Sequence, residues 1–118
     1  MNIDFLNLQP GETYIGAIGD AAGNLHHVIL LPGDNDEATF GAALEWAKSI
    51  GGDLPSRIEQ AMLWANHRDQ FQKDWYWSAE THHAESSWAW SQYFNYGYQD
   101  FIPKSNVLRA RAVRRLPI

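Results

Sequence analysis

The chain contains no cysteine. Disulfides cannot brace the fold, and thiolate catalysis and thiolate metal ligation are excluded. This composition suits folding in a reducing cytoplasm. Lysine and arginine are missing from residues 1–47, which hold seven acids. Residues 48–118 hold nine bases and seven acids, and five of those bases follow residue 103. The formal net charge of −5 disfavours nucleic-acid binding, because phosphate neutralisation needs a concentrated positive surface. No apolar run is long enough to span a bilayer, so membrane insertion is not expected.

The composition that remains, 45% hydrophobic and 19% charged over 118 residues, describes one globular domain with a core of useful size. Residues 1–12, ending at Pro10-Gly11, read as an N-terminal arm or edge strand, and residues 13–118 as the domain. The opening Met1-Asn2-Ile3-Asp4-Phe5 has an early acid and no basic region. The expectation is synthesis in the cytoplasm without a signal peptide, which leaves later incorporation into a virion open.

Periodicity supplies a coarse order of elements. Thr13–Ile18 and Asn24–Leu31 form a hairpin around Asp20-Ala21-Ala22-Gly23. Pro32 to Asp36 is a loop, with Asn35 or Asp36 placed to cap a helix over 38–50. Phe40, Ala43, Leu44, Ala47 and Ile50 give that helix its buried stripe, and Gly51-Gly52 stops it. A second helix opens at Ser56-Arg57-Ile58-Glu59, which has the form of a capping box. Ile58, Ala61, Met62 and Ala65 form its apolar face, and it fades near Asn66-His67. Two strands follow, around Trp75–Ala79 and Trp88–Phe94, then a polar aromatic loop over 95–106. A last strand sets Leu108, Ala110 and Ala112 on one face and Arg109 and Arg111 on the other.

The aromatic residues are concentrated. Four of the six tryptophans (Trp75, Trp77, Trp88, Trp90) fall within sixteen residues, in pairs with strand spacing. Indoles bury large apolar area, so these rings are expected in the core beneath the helices. The contacts to a partner then fall to Tyr76, Ser78, Ser91, Tyr93 and Asn95. An aromatic platform for stacking a sugar is the competing reading.

With these motifs in place the chain resembles a known family. Gly51-Gly52-Asp53-Leu54-Pro55-Ser56-Arg57-Ile58-Glu59-Gln60, Trp75-Tyr76-Trp77-Ser78-Ala79-Glu80, Ala89-Trp90-Ser91-Gln92-Tyr93-Phe94 and Arg109-Ala110-Arg111-Ala112-Val113-Arg114-Arg115 are similar to motifs of the C-terminal domain family of the Legionella collagen-like protein. That is a domain of unknown function, common in bacteria and phages. The resemblance covers roughly residues 24–116. It implies an α+β, C-type lectin-like fold, with an N-terminal β-hairpin and two helices on a small, twisted, mostly antiparallel sheet. Lectins, phage receptor-binding proteins, retroelement-diversified proteins and formylglycine-generating enzymes share that fold, so the resemblance does not name an activity. The compact chain looks most like a phage or prophage product.

The candidate contact residues are polar and aromatic. Tyr93, Asn95, Tyr96, Tyr98, Gln99 and Asp100 have the chemistry of a paratope: rigid amphipathic rings with adaptable hydrogen-bonding neighbours. Glu80, His82, His83, Ser86 and Ser87 form the adjacent segment. Arg109 and Arg111 are candidates for gripping an anion, although internal ion pairing of the arginines with the acidic hairpin or the helices is the favoured alternative.

No metal or cofactor is expected. Adjacent histidines (His26-His27, His82-His83) point to opposite faces of a strand and chelate poorly. The Glu-Pro-Asn, Gln-Pro-Asp and Trp-Asn-Asp signatures of calcium-dependent lectins are missing. Asp34-Asn35-Asp36 offers too few oxygens for an ion that takes about 6–8. No acid orients a histidine toward a serine in a recognisable triad, so the chain is not expected to be an enzyme.

The expectation is a non-catalytic binding module of phage or prophage origin. It would recognise a host-surface protein or glycan through the 80–87 and 95–106 loops. Two alternatives remain open: an intracellular phage protein that binds and inhibits a host defence factor, and a structural virion subunit that forms a homo-oligomer through its aromatic surface.

Overall fold

A computed structural model describes residues 6–118. The order is β1 (Thr13–Gly19), β2 (Leu25–Leu30), β3 (Asn35–Ala38), α1 (Phe40–Ser49), α2 (Arg57–His67), a single 3₁₀ turn over Arg68–Gln70, β4 (Trp75–Thr81), β5 (Trp88–Tyr93), β6 (Gln99–Pro103), β7 (Leu108–Ala110) and β8 (Val113–Pro117). The strands form two sheets, ordered β1-β2-β8 and β3-β7-β4-β5-β6. All strand pairs are antiparallel except β4 with β7. The protein is therefore α+β, with two helices on mostly antiparallel sheets.

The hairpin forms as its turn chemistry requires. Asp20 Oδ1 accepts from the amides of Ala22 and Asn24, both at 2.9 Å, and Gly23 takes φ 86°. Residues 1–5 of the predicted arm lie outside the described residues. Residues 9–12 make a turn closed by the Glu12 amide on the Gln9 carbonyl, at 3.0 Å.

Four sequence expectations are corrected. Residues 35–38 are a strand, not a loop or cap, because Asn35 and Ala38 pair with Ala110 and Leu108. Thr39 caps α1 instead of Asn35 or Asp36. Residues 99–103, expected in a loop, are the edge strand β6, in register with β5 from Gln92↔Gln99 to Trp88↔Pro103. The single C-terminal strand is two strands in two sheets. Between them Arg111 donates to the carbonyls of Leu31 (2.6 Å) and Gln70 (2.7 Å), while the Leu31 amide takes the carbonyl of Ala112. These bonds satisfy the corner as the chain crosses from one sheet to the other.

The core has two compartments on the two faces of β4. Trp77, wholly buried, packs beneath α1 with Phe40, Ala43, Ala47, Leu54, Ala89 and Ala110. Tyr76 faces the other compartment with Phe71, Phe94, Leu63, Val28 and Val113. Successive residues of β4 alternate between the two.

The helices differ in their seating. α1 buries Phe40, Ala43 and Ala47 as predicted, although Ile50, its C-cap, is 40% exposed. α2 has the predicted capping box, with the Ser56 hydroxyl accepting from the Glu59 amide and Glu59 reaching back to the Ser56 amide. Of its predicted apolar face only Met62 packs against the core. α2 buries Glu59, Gln60 and Leu63, while Ile58 is 63% exposed and Ala61 and Ala65 lie on the surface. Arg115 explains the inversion. It holds Glu59 with bonds of 2.6 and 2.7 Å, and Gln60 donates to the carbonyls of Tyr76 and Trp77. Glu59 and the Gln60 amide nitrogen are thus satisfied inside, while Gln60 Oε1 has no partner among the described residues.

Candidate functional site

The β4–β5–β6 ribbon carries aromatic side chains on both faces. Trp75 and Tyr93 are cross-strand partners, and their rings stack at 4.6 Å between centroids, 13° from parallel. Tyr98 meets both rings edge-on, at 5.6 and 5.4 Å, and Tyr96 meets Tyr93 at 5.8 Å. Tyr96 is 73% exposed and Tyr98 52%. Asn95 Nδ2 lies 3.5 Å from the Tyr93 hydroxyl. The structure thus brings together four of the predicted contact residues: Tyr93, Asn95, Tyr96 and Tyr98. Trp75, assigned from sequence to the core, joins them.

The turn beneath this cluster is held tightly. The Gly97 amide donates to the Tyr93 carbonyl at 2.8 Å, and the Tyr93 amide takes the Tyr98 carbonyl at 2.9 Å. Gly97 has φ 91°, and a Cβ placed there would lie 2.2 Å from the Trp64 ring of α2. Only glycine satisfies both the dihedral and the close approach.

Trp90 is an odd number of residues from Tyr93 on β5 and so lies on the opposite face. It pairs across the sheet with Phe101, and His82 covers the pair, 5.5 Å from Trp90 and 4.5 Å from Phe101. His83 stacks on His82 at 4.5 Å, and Trp88 meets Phe101 edge-on. His82 Nδ1 accepts from the amides of Ala84 (3.1 Å) and Glu85 (3.2 Å), which fixes the ring and folds the 82–85 segment around it. Ser86 and Ser87 follow, exposed.

Glu80 and Gln99 form a third group, at the start of α2. Glu80 Oε2 accepts from the Arg57 amide at 2.7 Å. Gln99 accepts from Arg57 Nε at 2.9 Å and donates to the Arg57 carbonyl at 2.8 Å. The Arg57 guanidinium lies 3.6 Å over the Trp90 ring. Glu80 and Gln99 therefore clamp the ribbon to the helix. Asp100 is exposed, and its carboxylate accepts from the neighbouring Phe101 amide.

Three assignments change. Trp75, Trp88 and Trp90 are half-buried, and of these four rings only Trp77 is interior: it packs beneath α1, Trp75 lies two residues away on the same face, and Trp88 and Trp90 lie on the opposite face of the ribbon. Tyr76, Ser78 and Ser91, expected to make contacts, are 1%, 0% and 0% exposed, since β4 and β5 are internal strands covered on both faces. Arg111 is no anion site, because it is 7% exposed and donates to two backbone carbonyls. Burial lowers its pKa from the ordinary value against the opposing fields of Asp34 and Tyr76.

Arg109 is likewise occupied. It pairs with Asp34 at 3.1 Å and Asp74 at 3.3 Å. Asp34 also accepts the Tyr76 hydroxyl proton. Burial and that carboxylate hold the Tyr76 phenol neutral at any ordinary pH. Arg114 pairs with Glu12 and Arg115 with Glu59 and Asp53, so the C-terminal arginines serve ion pairs within the fold.

A groove of about 500 Å³ separates α2 from the β5–β6 turn. Ile58, Ala61 and Trp64 line its helical wall, Gly97 and Gln92 its sheet wall, and Arg57, Glu80 and Gln99 one end. Trp64 also borders a second recess, about 520 Å³, with Arg68, Phe71, Lys73, Phe94 and Asn95. Sequence periodicity misses this groove because it assigns Ile58 and Ala61 to the core. Gln60, polar and next to the capping-box Glu59, was the available signal of an inverted helix.

Among the described residues no group of three or more His, Cys, Asp or Glu side chains is placed to hold a metal ion. No described helix is long and apolar enough to cross a membrane. Comparison with protein-family models and with curated proteins finds no match for this chain.

Proposed function

We propose that this protein is a non-catalytic binding module, C-type lectin-like and of phage or prophage origin, whose partner is a host-surface protein or glycan. The reading rests on the Trp75–Tyr93–Tyr96–Tyr98 cluster. Two of its tyrosines are more than half exposed, yet each ring is braced against another. Large rigid rings lose little entropy when a partner covers them. Asn95 supplies adaptable hydrogen bonding at the rim. The His82–His83 stack on the opposite ribbon face forms a separate surface, so the contact region is narrower than the whole of 80–87 plus 95–106.

Binding of labelled protein to a panel of bacterial envelopes and to a glycan array tests the reading. A wild-type signal that falls at least tenfold in the Tyr96→Ala/Tyr98→Ala variant is expected. Equal signals from folded wild type and variant would remove the cluster from the binding surface.

A further inference from the structure

β6 is the last strand of the five-stranded sheet, and its pairing with β5 fixes which of its backbone groups face outward. The Tyr93 amide donates to the Tyr98 carbonyl at 2.9 Å and the Lys104 amide to the Ser87 carbonyl at 2.8 Å, so these opposed residues are hydrogen-bonded pairs. Opposed residues of an antiparallel ladder alternate between bonded and non-bonded pairs. In the register from Gln92↔Gln99 to Trp88↔Pro103, Asp100 and Ile102 therefore bond inward to β5. Gln99, Phe101 and Pro103 turn their backbone groups to the outer edge.

That edge is closed at its centre. The Phe101 N–H, the middle donor, is taken by the Asp100 carboxylate at 2.8 Å. Pro103 has no N–H, and its carbonyl accepts from the Asn106 amide at 3.0 Å. Of the three outward positions, Gln99 alone keeps a donor for an incoming strand. The opposite edge of the sheet, β3, repeats the device: Asn35 Oδ1 accepts from the Glu37 amide at 3.1 Å. An unpaired edge is a template for another strand, and natural sheets blunt it with charge or proline.

The strand held off is β6 of a second copy of this chain, because the edge is self-complementary. Two β6 strands laid antiparallel about a twofold axis at Phe101 set Phe101 opposite Phe101 and Gln99 opposite Pro103. The Phe101 pair would exchange two N–H···O bonds on the axis. Their rings, 39% exposed and flanked on the same face by Trp88 and Trp90 at 5.6 and 5.3 Å, would join apolar surface across it. Asp100 removes both central bonds, since the Phe101 N–H of each copy is already occupied. We infer that Asp100 is an edge guard: its bond to the Phe101 N–H keeps β6 from pairing with β6 of a second copy. The guard acts at the sheet edge and stands independently of the tyrosine cluster.

Sedimentation velocity of the purified chain tests it. Asp100→Ala should raise the share of dimer at least tenfold over wild type at equal concentration. Adding Phe101→Lys should return that variant to the wild-type value, because like charges then meet on the axis. Asp100 and Phe101 are both exposed, so these changes should leave the fold intact. Hydrogen exchange reads the guard bond itself, without reliance on association or on the lysine variant. In dilute Asp100→Ala the Phe101 amide should exchange at least tenfold faster than in wild type, whereas Asp100→Asn, which keeps a side-chain acceptor, should exchange like wild type. Asp100→Ala that associates no more than wild type overturns the inference, as does unchanged exchange at Phe101. Dimer that survives Phe101→Lys in the folded variant overturns it too, by placing the interface away from β6.

Discussion

The two helices are close in length, ten and eleven residues, and each starts at a hydroxyl N-cap, but they face the core with opposite chemistry. α1 buries Phe40, Ala43 and Ala47 over Trp77 and closes one compartment. α2 buries Glu59 and Gln60 beside Leu63 and turns Ile58 and Ala61 toward the groove. A polar side chain can occupy a core position when its partners are prepared, as Arg115 and the β4 carbonyls are here. The consequence shapes the surface: a helix with its acid inside and its aliphatics outside gives the groove an apolar wall.

The contrast can be broken most severely on the α1 side. Trp77→Ala should cost about 3–5 kcal/mol, because it empties a wholly buried indole site and orphans the Ala38 carbonyl that the indole N–H satisfies. Denaturant unfolding measures this loss. On the α2 side Glu59→Ala should cost about 3 kcal/mol, since it leaves Arg115 without its principal partner. An unfolding free energy within 1 kcal/mol of wild type would show the Glu59–Arg115 pair to be dispensable.

The same pair predicts an acid response. Burial pushes the Glu59 carboxyl up, but Arg115, the Ser56 amide and His26 outweigh it and hold the pKa below its ordinary 4.5. A depressed folded-state pKa gives stability that is full above about 4.5 and is lost as pH falls through the folded value. Tm should therefore fall on acidification below about pH 4.5, and the fall should be shallower in Glu59→Gln. A parallel decline in both proteins would assign the acid sensitivity elsewhere.

Smaller effects separate the binding surface from the scaffold. Gly97→Ala should cost more than about 1 kcal/mol, through its left-handed dihedral and its collision with Trp64. Ile58→Ala should change stability by no more than about 0.5 kcal/mol, because the side chain is exposed. A loss of 2 kcal/mol at Ile58 would return that residue to the core and remove the groove.

Legibility tracked the range of the interactions involved. The hairpin turn at Asp20–Gly23, the Ser56–Glu59 capping box and the Gly51 stop depend on near neighbours, and each was readable. β3 was not, because Asn35–Ala38 becomes a strand through Ala110 and Leu108, far along the chain; β6 pairs with neighbouring β5 but was hidden because Gln99-Asp100-Phe101-Ile102-Pro103 has no apolar–polar alternation. Clustering of Tyr93, Tyr96 and Tyr98 followed from their proximity in sequence. Trp75 entered that cluster only through its pairing with Tyr93 across the sheet.

Composition and local pattern determined an α+β chain without disulfides, its two helices, its first hairpin and a tyrosine-bearing surface near residues 93–98. Tertiary structure decided which indole went inside, which face α2 turned inward, and how the arginines were used. The physical reason is that a helical or strand period defines two faces without saying which is buried. That choice falls to the partners the fold supplies, and for α2 the partner was Arg115, fifty-six residues from Glu59.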